Sequence, residues 1–165
     1  MPAISRSWVA FAAVGAGLIH LALVIGAPVA LAIPLALLGL TEFAWGVLTF
    51  AREALLLPRI AIVVAVVPIV LWALLLAVAP SAAASLGFLP LAVSSLFGLF
   101  VAAMLGRHLR RATDAPPEPP GITRYLLGIV AGGLVIAALA APALASTEAG
   151  GSSVPDDLFL PTHGH

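Results

Sequence analysis

Polar positions are sparse along this chain and gather in a few short clusters, so the apolar runs between them define its elements. Five such runs extend from about Trp8 to Gly26, Val29 to Phe50, Pro58 to Ala79, Ala83 to Leu105 and Thr123 to Ala145. Each holds roughly 20 residues, the length an α-helix needs to cross a hydrocarbon core about 30 Å thick. The stretch from Trp8 to Phe50 is too long for one crossing and carries the turn signal Gly26-Ala27-Pro28, which predicts a tight hairpin; Pro80-Ser81 divides the third and fourth runs in the same way. Backbone amides in lipid must be bonded within their own segment, and the alternating ten-residue strands of a closed barrel are missing. The pattern therefore predicts an all-α polytopic protein with five transmembrane helices in residues 1–145 and a polar tail over 146–165.

Composition agrees with that reading. Hydrophobic residues make up 62% of the chain and charged residues 8%, against roughly 25% charged in soluble domains. All seven basic residues are arginines: Arg6 before the first span, Arg52 and Arg59 between the second and third, and Arg107, Arg110, Arg111 and Arg124 between the fourth and fifth. They fall on one side of an alternating topology, so the positive-inside rule predicts N-in/C-out, in a bacterial inner (plasma) membrane. The expected partners are the lipid bilayer and either other membrane subunits or a second copy. Glycine-rich phosphate loops and aromatic-interleaved basic stripes are lacking, and nucleic acid is not an expected partner.

Some residue types are missing altogether. With no Cys there is no disulfide framework and no thiolate chemistry; Lys, Asn and Gln are also absent, a bias that fits a high-GC genome. The first apolar run exceeds a signal-peptide core and is expected to stay as an anchor, while Ala143-Leu144-Ala145 offers a minor signal-peptidase possibility at the outer end of the fifth span. Between the fourth and fifth spans, an Arg-rich stretch suited to anionic headgroups runs into Ala115-Pro116-Pro117-Glu118-Pro119-Pro120, an extended spacer. Pro34-Leu35-Ala36-Leu37 and Pro90-Leu91-Ala92-Val93 give a faint internal repeat.

Ionisable groups inside a span cost about 2.5–3.5 kcal/mol on insertion scales, so His20 and Glu42 are the first candidates for function. With the turn at Gly26 to Pro28, His20 lies roughly 10 Å and Glu42 roughly 20 Å below the outer boundary, and the two are not expected to touch. A turn centred near Leu31 would bring them level. On the first placement Glu42 is level with Ser94 and Ser95 of the fourth span, and His20 with Trp72 of the third; burial then favours a neutral or hydrogen-bonded carboxyl. Structural hydrogen bonding to neighbouring helices, a protein contact, and a proton or cation path all use these residues. One His and one Glu fall short of a zinc or copper ligand set.

Catalytic motifs are lacking: there is no His-Glu-x-x-His helix, and Ser94-Ser95 has no glycine-flanked nucleophile pattern, so no enzyme activity is expected. Gly128 and Gly132, adjacent to Gly133, give the fifth span a small-residue face for close helix packing, internal or between copies. The tail ends Pro161-Thr162-His163-Gly164-His165, and His163 and His165 with Asp156 and Asp157 form a partial ligand set for copper or zinc; no other cofactor is expected. Through Ala16-Gly17-Leu18-Ile19-His20-Leu21-Ala22, Glu42 to Gly46, and Pro142 to Gly150 leading into the His-ending tail, the chain resembles a group of uncharacterised small actinobacterial polytopic membrane proteins. That resemblance implies no settled activity; its His-ending tails suggest copper association, although here the tail has two histidines. The function expected is a non-enzymatic integral membrane accessory, assembly or scaffolding component of a larger inner-membrane complex. Extracytoplasmic copper or divalent-metal handling and a small transporter using His20 and Glu42 are the alternatives.

Overall fold

The computed structural model describes residues 1–110 and 121–151. Among these the chain is helical with no strand: α1 Ala3–Leu23, α2 Val29–Ala51, α3 Pro58–Val78, the short α4 Pro80–Ser85, α5 Phe88–Arg110, α6 Ile122–Ala145 and the single turn α7 Glu148–Gly151. Helices α1, α2, α3, α5 and α6 are each long and apolar enough to span a bilayer, and the chain is a multi-pass membrane protein.

Three boundaries depart from the sequence reading by five residues each. Helix α1 begins five residues before Trp8, at Ala3, because Pro2 presets the entry and the Ser7 hydroxyl bonds back to the Ala3 carbonyl at 3.2 Å within the first turns. The fourth span begins at Phe88, not near Ala83: Pro80 starts a separate one-and-a-half-turn helix that Gly87, at φ +78°, brings to a stop. Arg107 and Arg110 then extend α5 past Leu105, cations in a last turn being favourable against the helix dipole.

Helix α1 is the axis of the bundle. It packs on α2, α5 and α6, whereas α3 packs on α5 and barely meets α2. Accordingly 61% of the apolar window of α1 is buried, against 22% for α2 and α3 and 17% for α6. Its sequence explains the role, since Ala10, Ala12, Ala13, Gly15, Ala16 and Gly17 are all buried and let neighbours approach from three sides. The approach to α2 is backbone to backbone: a Cβ on Gly39 would lie 2.8 Å from the Gly17 carbonyl oxygen, and one on Gly46 2.8 Å from that of Ala10. Outside this core the large side chains of α2, α3 and α6 point outward, among them Leu37, Val63, Leu74 and Leu127, each more than half exposed, as a lipid-facing surface requires.

The glycines of the fifth span serve the interior. A Cβ on Gly128 would meet Ile4 at 2.8 Å and one on Gly132 the Trp8 indole nitrogen at 2.6 Å, so these two seat α6 on α1; Gly133 has open space around it. The Trp8 indole N–H donates to the Gly128 carbonyl at 2.8 Å across the same joint.

Candidate functional site

Each ionisable side chain buried in the middle of the bundle has the other as its partner. His20 Nδ1 lies 2.6 Å from Glu42 Oε2, and the side chains are 1% and 7% exposed. This corrects the expectation that the two would not touch. The chain does not reverse directly at Gly26: Val24, Ile25 and Ala27 keep making turn-type hydrogen bonds back to Leu21, Ala22 and Val24, and Pro28 caps α2 only afterwards. The facing pairs Gly17–Gly39, Gly46–Ala10 and Gly46–Val14 put the apex of the hairpin near residues 28–30. Moving an apex by about two residues shifts the register by about four, so His20 comes level with roughly residue 38 and the remaining offset is about 6 Å. Side chains lean toward the N-terminus of their own helix. His20 therefore leans away from the turn and Glu42 toward it, and the two converge.

The rest of the site comes from α3. The Trp72 ring lies 6.4 Å from that of His20, with 27° between the planes, where the sequence placed it. Ser94 is buried, but its hydroxyl donates to the Leu91 carbonyl of its own helix, and Ser95 is half-buried; neither replaces His20 as the Glu42 partner. Among the described residues His20 Nε2 and Trp72 Nε1 are buried with no hydrogen-bond partner, as is Thr49 Oγ1. An unsatisfied buried group of this kind costs about 1–3 kcal/mol, so two on adjacent rings mark a locus where structure alone does not account for the chemistry.

Two cavities flank this locus between α2 and α3, one lined by Trp72 and the other by Glu42, and His20 lines neither. The one toward the turn end, about 510 Å³, is lined by Leu31, Pro34, Leu35 and Leu38 of α2 and by Pro68, Leu71, Trp72 and Leu75 of α3. The one toward the Arg52 end, about 180 Å³, is lined by Thr41, Glu42, Trp45, Ala61 and Ala65 with Ala13 and Gly98. The α2 positions recur at helical spacing, so one continuous stripe of α2 faces α3 without closing on it. The connection that holds the helices apart, Arg52 to Leu57, has two non-glycine residues at positive φ, Glu53 at 49° and Leu57 at 44°; the Trp45 indole N–H donates to the Leu56 carbonyl at 2.7 Å and fixes that loop.

Trp72 as a site residue was accessible from depth counting; the cleft was not, because α3 is apolar all round and shows no preferred face. The tail candidates His163, His165, Asp156 and Asp157, and the proline-rich spacer, lie outside the described residues. No protein-family model, curated protein or solved structure matches the chain.

Proposed function

We propose that the protein is a non-enzymatic accessory, assembly or scaffolding subunit of a larger complex in a bacterial plasma membrane, with its N-terminus in the cytoplasm. What supports this reading most is how the polar side chains are spent: His20 with Glu42 ties α1 to α2, Trp8 with the Gly128 carbonyl ties α1 to α6, and Trp45 with the Leu56 carbonyl fixes the α2–α3 connection. Each bond joins parts of the body, and the surface left over is long and apolar. Extraction into detergent-free lipid particles followed by native mass measurement tests it, a stoichiometric assembly with other membrane chains being expected. The seven arginines, confined to one side of the alternating topology, support the orientation.

A second reading, a small proton or cation transporter, gains from the structure because His20 and Glu42 share one short hydrogen bond beside a cleft. Proteoliposome flux separates the two: Glu42→Gln abolishes transport while leaving a scaffold intact. Divalent-metal handling by the His163 and His165 tail remains the third proposal and rests on the sequence alone.

A further inference from the structure

We propose that the arginine-bearing end of the bundle holds one anionic phospholipid, its phosphate on Arg6 and Tyr125 and an acyl chain in the seam of α1 between α2 and α6. This assignment depends neither on the accessory role nor on the orientation of the chain.

Charge sets the head. Among the described residues this end carries Arg6, Arg52, Arg59, Arg107, Arg110 and Arg124 against one acid, Glu53. Arginines flanking a span attract anionic headgroups, and a basic pocket between spans holds one in place. Such a pocket lies where the start of α1, the end of α2 and the start of α6 meet, lined by Arg6, Ser7, Phe50, Glu53 and Tyr125. Its volume is about 50 Å³, and one water needs only about 15 Å³, so it admits a group of several atoms. The Arg6 side chain is 17% exposed and is paired at 3.8 Å with Glu53, whose side chain is 82% exposed. An ion pair so open to solvent contributes little. A phosphate accepts two parallel bonds from a guanidinium fork and is the stronger partner. The Tyr125 hydroxyl, which makes no hydrogen bond among the described residues, is a further donor in the same pocket. Ser7 is not one, because its hydroxyl is spent on the Ala3 carbonyl.

The seam sets the tail. Helix α2 meets α1 at Ala10, Val14 and Gly17, and α6 meets it at Ile4, Trp8 and Gly15. Between those two lines of contact Ser7, Phe11 and Leu18 recur at helical spacing, and Leu18 is 40% exposed although α1 is the most buried span. The Phe11 ring lies 5.5 Å from that of Phe50, which also lines the pocket, so the seam opens directly beneath it. From Ser7 to Leu18 the seam runs about 16 Å along α1, close to the depth of one leaflet's hydrocarbon, about 15 Å. An anionic head with an apolar chain fits that outline, whereas a free phosphate makes no use of the seam.

Phosphatidylglycerol titrated into the full-length protein in mixed micelles with phosphatidylcholine is the test, counting the lipids retained per chain by native mass spectrometry. One phosphatidylglycerol is expected to be held in preference to phosphatidylcholine. Arg6→Gln weakens its binding about tenfold, as the loss of a charge-assisted pair would, and Tyr125→Phe weakens it less. Glu53→Gln removes the competing carboxylate and tightens binding, while Arg59→Gln, at the same end but outside the pocket, costs far less than Arg6→Gln. Neither inorganic phosphate nor soluble glycerol phosphate displaces the lipid. The proposal is overturned if phosphatidylglycerol is retained no better than phosphatidylcholine, or if Arg59→Gln costs as much as Arg6→Gln, which would make this end a diffuse basic surface. It is overturned equally if Tyr125→Phe binds undiminished, if Glu53→Gln does not tighten binding, or if inorganic phosphate displaces the lipid, which would make the pocket a site for a bare anion.

Discussion

Replacing Glu42 by Leu removes the one hydrogen-bond partner of His20 Nδ1 among the described residues and leaves an imidazole that is 1% exposed without it. The cost of a buried group so orphaned is about 1–3 kcal/mol. Removing both partners, in His20→Leu with Glu42→Leu, creates no orphan, so the double variant should be more stable than the two single losses added together. The size of that coupling reports the proton arrangement. Neutral hydrogen bonds between membrane helices average about 0.6 kcal/mol and reach about 1.7, whereas an imidazolium–carboxylate pair in the same place should exceed that range. Glu42→Gln offers Nδ1 either an acceptor oxygen or a donor N–H and should lose less than Glu42→Leu. Unfolding in mixed micelles, followed by helical circular dichroism, measures the wild type and the four variants. Additive losses within about 0.3–0.5 kcal/mol would refute the argument, because they would mean that the 2.6 Å approach carries no energetic coupling.

Four further outcomes follow from the same structure. Gly39→Ala should destabilise by about 1–3 kcal/mol, since its Cβ would press within 2.8 Å of the Gly17 carbonyl, while Gly133→Ala, with open space around it, should be neutral or slightly stabilising in the same unfolding assay. Leu57→Gly should stabilise by roughly 1 kcal/mol if relief of its left-handed backbone at φ 44° outweighs the added freedom of the unfolded chain; a loss of that size would show the Leu57 side chain to matter more than its backbone. A reporter fused after His165 should be active only outside the cytoplasm, and activity inside would reverse the orientation. Copper calorimetry on the full chain should show only weak binding, because two imidazoles and nearby carboxylates are a partial ligand set; tight one-to-one binding lost on truncation after Ser146 would favour metal handling instead.

Helix number and kind were legible because a bilayer imposes a length, and α2, α3 and α6 fall within a residue or so of their sequence boundaries. Helix ends that depend on local backbone were harder: Gly87 reads as one more small residue in an apolar run, yet its φ of +78° separates α4 from α5. The His20–Glu42 contact was missed through register. Side-chain depth in a hairpin is counted from an apex, and the turn signal at Gly26 marks where the chain leaves α1 rather than where it reverses. The close approach that fixes the register, Gly17 on Gly39, could be suspected from glycine content but not paired, since four of the five long helices contain glycine. The α2–α3 cleft was beyond sequence reasoning, because uniformly apolar faces do not say which neighbour they meet.

The central claim is that the chain works as a subunit bound to other membrane proteins. Native mass measurement after detergent-free extraction from its own membrane tests it most directly. The account predicts a defined assembly heavier than the 16.7 kDa chain, containing other membrane chains in fixed stoichiometry and preserved in Glu42→Gln. A species of 16.7 kDa alone, with proton or cation flux in proteoliposomes that Glu42→Gln abolishes, would contradict it and establish the transporter reading.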